Sequence, residues 1–115
     1  MQHLALAVRD EEASRRFYET YLGFDAGAER MDDGVLMLSN ADGFRLALGP
    51  WDEDARLPAF LHFGISLPSP DAVHALEARL RADGVEVVGS WDEPAYVSRK
   101  VRDPSGYVVE LCWEP

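Results

Sequence analysis

The sequence contains a single cysteine, Cys112, among its 115 residues, so no disulfide can form within the chain. A domain of this length buries roughly two-thirds of the surface that its unfolded chain exposes, and it therefore needs no covalent cross-link. A chain without disulfides suits a reducing compartment, and we expect a cytoplasmic protein.

Long apolar segments are also missing. No apolar run approaches the roughly 20 residues of a membrane-spanning helix, which excludes membrane insertion through such a helix. Residues 1–8 lack the basic start and the length of a secretory leader. The sequence also has no glycine-rich phosphate loop and no serine-triad signature, so it predicts none of the enzyme classes that those motifs define.

Positive charge is scarce. Lysine and arginine number 11 against 21 aspartate and glutamate residues, which gives a formal net charge of −10. Such a field repels phosphate backbones and anionic membrane surfaces, so neither nucleic acid nor a membrane is expected as a partner. The negative net charge does not exclude an anionic small substrate, because a metal ion or a local cation at the binding site can attract it.

What the sequence does contain is an internal repeat, the feature that decides the fold. Residues 2–24 and 61–85 each begin with an apolar strand whose second residue is histidine, continue into a periodic helix and end near a glycine. The segments 43–48 and 106–111 also match as closing strands. The repeat predicts an α+β fold of two βαβββ modules, which form a cupped mixed sheet with helices on the outer face. One domain, 1–115, would comprise module one at about 1–48, a linker at 49–59 and module two at about 60–115.

The local patterns place each element. Helices are predicted near 11–22 and 70–83, with Asp10 and Ser69 as caps. The strands are predicted near 2–8, 25–31, 34–39, 43–48, 61–67, 85–89, 96–102 and 106–113. The segments 49–59 and 90–96 are expected to be loops that set the selectivity of a cleft.

Strand alternation separates His3, His62 and Glu110 from the large apolar residues of their strands. The face that they share carries alanine, glycine and valine with few charges, which favours a cleft over a solvated surface. Two histidines and one glutamate form the ligand set of open sites for Fe(II), Mn, Ni or Zn. The alternative is two structural histidines and a solvated glutamate.

Further residues are candidates for contacts with a small-molecule substrate: Arg45, Tyr96, Ser98, Lys100, Trp51 and Trp91. Arg45 or Lys100 would pair with a carboxylate or phosphate of the substrate. The alternative, which the sequence favours for these two cations, is surface charge or protection of a sheet edge. The two tryptophans would wall the cleft, or else be loop aromatics or dimer contacts. No sequence feature identifies a catalytic acid or base.

Several motifs resemble the vicinal oxygen chelate superfamily, which includes glyoxalase I, extradiol dioxygenases and bleomycin-resistance proteins. They are HLALAV at 3–8, FY at 17–18 ahead of YLGF at 21–24, HFGI at 62–65 and DPSGYVVEL at 103–111. The resemblance covers nearly the whole chain. It implies paired βαβββ modules, a homodimer and metal ligands on the opening and closing strands, at the positions of His3, Ala47, His62 and Glu110.

Departures from the family pattern narrow this expectation. Ala47 cannot bind a metal, so the four-ligand site of glyoxalase I is excluded and three ligands remain. Lys100 stands where extradiol dioxygenases carry a tyrosine, and Ala5 where fosfomycin-resistance enzymes carry a threonine. The resemblance therefore implies a metal-dependent lyase, isomerase, dioxygenase or thiol transferase without selecting one. The alternatives are a metal-free module that sequesters drug-like molecules, as bleomycin-resistance proteins do, and a structural or regulatory domain with a vestigial site.

Overall fold

The computed structural model describes all of residues 1–115 and divides into two compact units, Met1–Arg56 and Leu57–Pro115. Each unit repeats the order strand, helix, three strands. This confirms the predicted pair of βαβββ modules, each a mixed four-stranded sheet with one helix. Neither helix is long and apolar enough to cross a membrane.

The first unit contains β1 His3–Val8, α1 Glu11–Tyr21, β2 Gly27–Arg30, β3 Leu36–Ser39 and β4 Arg45–Pro50. Its strands lie in the order β1-β4-β3-β2. The pairing of β1 with β4 is parallel, since α1 carries the chain back across the sheet, and the other two pairings are antiparallel. The opening and closing strands of the module are therefore neighbours.

The second unit contains β5 His62–Ser66, α2 Pro70–Ala82, β6 Val87–Glu93, β7 Tyr96–Arg102 and β8 Val108–Trp113. Its order, β5-β8-β7-β6, repeats that of the first unit, again with one parallel pair between the opening and closing strands. The same topology brings the histidine-bearing strand beside the last strand in each unit.

Both helices begin at the caps that the sequence predicts. The side chain of Asp10 accepts a hydrogen bond from Ala13 N at 3.1 Å, and that of Ser69 accepts one from Ala72 N at 3.1 Å. Pro70 occupies the first turn of α2, where its missing N–H costs nothing. These caps fix where each helix starts, and with it which helix face meets the sheet.

Each helix covers one face of its own sheet, and the core lies between them. In the first unit α1 packs on β4, and Tyr18, Leu38 and Leu46 are almost fully buried. In the second unit α2 packs on β7 and β8, with Val73 and Leu111 at the centre of the core. Alternate residues of every strand therefore point to the opposite face of each sheet, which the helices leave open.

The prediction of a loop over residues 90–96 is wrong. Strand β6 continues to Glu93, which pairs with Tyr96 of β7 across a two-residue turn. The apolar alternation stops in this segment because β6 is an edge strand with exposed polar residues, and a register shift between Val87 and Gly89 interrupts it further. Trp91 consequently lies on a strand.

Candidate functional site

The open face of the second unit is the face of its sheet away from α2. In register across this sheet, Gly64 of β5 pairs with Glu110 of β8, Glu110 with Lys100 of β7, and Lys100 with Gly89 of β6. Paired residues project to the same side, so the strand register gathers polar groups of three different strands on one surface.

His62 and Glu110 meet at the edge of this face. Nε2 of His62 lies 3.5 Å from Oε1 of Glu110, and both side chains are largely buried. Nδ1 of His62 lies 2.8 Å from the carbonyl oxygen of Phe60. Because a carbonyl oxygen can only accept, this hydrogen bond requires a proton on Nδ1, and the neutral ring then presents the lone pair of Nε2 to Glu110.

The second carboxylate oxygen of Glu110 is held from β7. Oε2 accepts a hydrogen bond from Ser98 Oγ at 2.7 Å and another from the hydroxyl of Tyr96. Burial pushes the pKa of Glu110 upward, but the hydrogen bonds from Tyr96 and Ser98, with the positive charge of Lys100, leave it below its ordinary value. Glu110 is therefore an ionised carboxylate. Its Oε2 accepts hydrogen bonds from Ser98 and Tyr96, and its Oε1 faces His62.

The His62–Glu110 pair is suited to hold a cation. Two electron-rich atoms that face each other repel unless a positive charge lies between them, either a proton on the imidazole or a metal ion. Neighbouring ligands on a divalent metal are separated by about 3.0–3.4 Å, close to the separation observed here. Metal-bound histidines also usually donate their other N–H to a carbonyl or carboxylate, as His62 does to Phe60.

The chain contains no group of three or more histidine, cysteine, aspartate or glutamate side chains that would enclose a metal ion. In the second unit, His62 and Glu110 supply a pair of suitable ligand atoms. The third predicted ligand, His3, belongs to the first unit. It lies exposed at the start of β1, where its Nδ1 is 3.2 Å from Oε1 of Gln2.

A cavity of about 380 Å³ lies on the open face of the first unit, beside His3. Its lining is mainly apolar and includes Met31, Val35, Met37 and Ala47. Sequence reasoning missed this cavity, although the alternation of Met31, Val35 and Met37 along one hairpin is a readable signal. Ala47 presents only a methyl group to the cavity, so this part of its lining suits an apolar group.

The other predicted contact residues divide between the two units. Tyr96, Ser98, Lys100 and Trp91 lie on the open face of the second unit. In the first unit, Arg45 pairs in register with His3. Trp51 follows β4 and lies under the guanidinium of Arg9, 4.4 Å from the ring centroid.

Tyr96 and Ser98 have a role that sequence reasoning did not assign to them. The sequence predicts that both contact substrate, whereas in the structure both donate to Glu110. The hydrogen bond to Glu110 and burial together raise the pKa of Tyr96, so its hydroxyl remains a donor at neutral pH. Tyr96 and Ser98 therefore fix the orientation of the Glu110 carboxylate.

A charged cluster on the opposite side of the second sheet was also missed. Arg99 is buried and donates to Glu77 of α2 at 2.8 Å and to Asp92 of β6 at 3.0 Å. Half-exposed His74 of α2 contacts the same Asp92 at 3.0 Å. This cluster ties α2 to two strands and so supports the sheet that carries Glu110.

Comparison with known proteins agrees with the fold and the motifs. Residues 1–111 match the Glyoxalase/Bleomycin resistance protein/Dioxygenase superfamily. The uncharacterized protein PA2024 of Pseudomonas aeruginosa is 33% identical over 98% of this chain and 87% of its own length. A structure described as a possible glyoxalase from Bacillus cereus has a TM-score of 0.81 and 28% identity, covering 96% of both chains.

A second structural relative has a different described role. TnmS3, an antibiotic binding protein from Streptomyces sp. CB03234, has a TM-score of 0.76 and 26% identity, with 100% of this chain and 95% of that chain covered. The family match spans nearly the whole sequence and both repeats. The chain belongs to the Glyoxalase/Bleomycin resistance protein/Dioxygenase superfamily.

Proposed function

We propose that this chain is a metal-dependent enzyme that acts on a small oxygenated substrate. His3, His62 and Glu110 would hold the divalent metal, which we propose to be Fe, Mn, Ni or Zn. The observation that carries the proposal is the His62–Glu110 pair. Nε2 of His62 and Oε1 of Glu110 face each other at 3.5 Å, while Nδ1 and Oε2 are tied to the protein.

The metal would act as a Lewis acid toward two neighbouring oxygens of the substrate, in a lyase, isomerase, dioxygenase or thiol transferase reaction. The protein's own groups prepare this site. The carbonyl of Phe60 keeps the proton on Nδ1 of His62, and Tyr96 and Ser98 keep Oε2 of Glu110 occupied. The ligand atoms are therefore preorganised, which reduces the ordering cost of binding.

Family membership and the relatives support a small-molecule substrate, and one solved relative is described as a possible glyoxalase. We further propose a homodimer in the cytoplasm, on the strength of the resemblance and the absence of disulfides. Sedimentation or light scattering of the purified protein should then give twice the chain mass of 12.8 kDa.

Metal titration tests the proposed function directly. We expect Mn(II) or Zn(II) at about 100 times its Kd to stabilise the metal-stripped protein by about 2.7 kcal/mol, since a ligand that binds only the folded state must raise its stability. For a domain of this size the melting temperature should rise by roughly 10 °C. His3→Ala should remove most of this rise.

His74→Ala is the matched control, because it deletes the remaining histidine, which lies on α2 and belongs to no proposed ligand set. It should retain the full rise in melting temperature. If no metal of the series raises the melting temperature of the wild type, or if His3→Ala responds as the wild type does, the proposed metal site is wrong.

The second candidate function is a metal-free binding protein that sequesters an apolar or drug-like compound. The cavity of about 380 Å³ beside Met31 and Met37 favours it, because flexible thioethers adapt to varied apolar ligands. The antibiotic binding relative adds support. Under this function, apolar compounds would raise the melting temperature equally in the wild type and in His62→Ala, and metals would raise neither.

A further inference from the structure

The indole of Trp91 lies against the strand that carries it. A Cβ atom added to Gly89 would lie 2.9 Å from Cζ3 and 3.0 Å from Cη2 of Trp91. A larger side chain at this position would require the Trp91 ring to move, so Gly89 allows the ring to rest on the backbone. Trp91 nevertheless remains 42% exposed, an unusual fraction for so large an apolar side chain. The ring is therefore an anchored aromatic surface that protein atoms only partly cover.

Lys100 stands next to this ring and forms no direct salt bridge, although its charge acts on the neighbouring Glu110. Its Nζ lies 5.1 Å from the centroid of the Trp91 ring. By contrast, Arg81, Arg99 and Arg102 of the same unit each lie within 3.5 Å of a carboxylate oxygen. In a chain with a net charge of −10, a lysine ammonium that touches no carboxylate directly is a local cation available to an anion.

The position of Lys100 relates this pair to the His62–Glu110 site. Lys100 is in register with Glu110 on one side and with Gly89 on the other. Strands are spaced by about 4.8 Å, so Glu110 and the Gly89 platform lie about 10 Å apart with Lys100 between them. A small planar molecule spans that distance.

We propose that Trp91 and Lys100 recognise a planar ring that carries an anionic group, so that the substrate class is an aromatic or conjugated carboxylate with a neighbouring oxygen. The ring stacks on Trp91 and the anionic group pairs with Lys100. The proposal rests on the proposed function for the placement of the neighbouring oxygens at His62 and Glu110. Recognition by ring and cation itself needs no metal.

Three probes separate the two parts of the proposal. Salicylate is planar and anionic with neighbouring oxygens, salicylamide is its neutral analogue, and lactate is anionic with neighbouring oxygens but not planar. Calorimetry on the Mn(II)-loaded protein, repeated on the metal-stripped protein, should show salicylate binding roughly fivefold to tenfold tighter than either analogue. Failure of salicylate to bind, or equal binding of all three probes, would overturn the proposal.

Variants assign the preference to the two side chains. Lys100→Met should make the affinities for salicylate and salicylamide equal. Trp91→Leu should make the affinities for salicylate and lactate equal. Gly89→Ala should have the same effect as Trp91→Leu, because the new methyl group displaces the ring. Gly27→Ala is its control, since no atom lies within 4 Å of an added Cβ there. Preferences that persist in these variants would refute the assignment.

Metal content, measured in the same samples, keeps the two hypotheses apart. Protein that binds metal but does not discriminate among the probes retains the proposed function and refutes this inference. Protein that discriminates in the metal-stripped state but never binds metal supports the recognition of planar anions and refutes the proposed metal site.

Discussion

Replacement of Glu110 by glutamine is expected to lower the affinity for Mn(II) more than about 100-fold, beyond the effect typical of residues that only support a metal ligand. The substitution removes the negative charge that faces His62 Nε2 while it keeps the size of the side chain. The amide oxygen can still accept from Ser98 and Tyr96, so the stability of the fold should change little. Competition against a fluorescent chelator measures the affinity, and urea unfolding measures the stability.

Glu93→Gln provides the control for charge. Glu93 lies at the end of β6, in register with Tyr96, and the change in net charge is the same. We expect its Mn(II) affinity to stay within about twofold of the wild type, because exposed charges are well screened. An equal loss in both variants would mean that overall charge, and not a ligand at Glu110, governs metal binding.

Arg99→Met is expected to lower the free energy of unfolding by about 2–3 kcal/mol. Arg99 is buried with a side chain 8% exposed and donates to Glu77 and Asp92, so its removal takes a donor from the partly buried carboxylate of Glu77. Glu77 keeps its pairing with Arg81, which limits the loss. Urea unfolding at pH 7 measures the effect.

The contribution of the Arg99 cluster to the free energy of unfolding should also depend on pH. Burial raises the pKa of Glu77, but hydrogen bonds from Arg99 and Arg81 outweigh it and hold the pKa below its ordinary value of 4.5. A hydrogen bond with His74, followed by those from Arg99, lowers the pKa of Asp92. A carboxylate whose pKa is lower in the folded state than in the unfolded state stabilises the fold at pH values above its unfolded-state pKa. This stabilisation is lost as the pH falls through the folded-state pKa. The cost of Arg99→Met should therefore be full at pH 7 and shrink below about pH 4.

Arg102→Met is the matched control for this prediction. Arg102 also lies on β7, but its pairing with Glu86 at 3.5 Å is between exposed side chains. Such pairs contribute about 0–1 kcal/mol, so we expect a small change at every pH. A cost of Arg99→Met no larger than that of Arg102→Met would contradict the role assigned to the Arg99 cluster.

The sequence predicts the two modules because the signals that define them are local and repeated. Caps at Asp10 and Ser69 and glycines after each helix fix the elements, and strand alternation fixes which side chains share a face. That alternation correctly places Tyr96, Ser98 and Lys100 on one side of β7. It fails in β6, where an edge strand carries exposed polar residues and the pattern of period two disappears.

The chemistry between side chains is harder to read from the sequence. Phe60 acts through its backbone carbonyl, which has no residue signature, and Tyr96 and Ser98 reach Glu110 only because β7 and β8 pair in one register. The apposition of Trp91 and Gly89 depends on a rotamer that the sequence does not specify. The Arg99 cluster joins residues up to 22 positions apart.

Elemental analysis of the purified protein, after reloading with Fe(II), Mn, Ni or Zn in turn, decides whether this chain holds a metal through His62 when the wild type is measured beside His62→Ala. We expect near-stoichiometric metal in the wild type and almost none in the variant, with a fold that circular dichroism shows to be intact. Wild-type protein that retains no metal, or a His62→Ala variant that retains as much as the wild type, would contradict it.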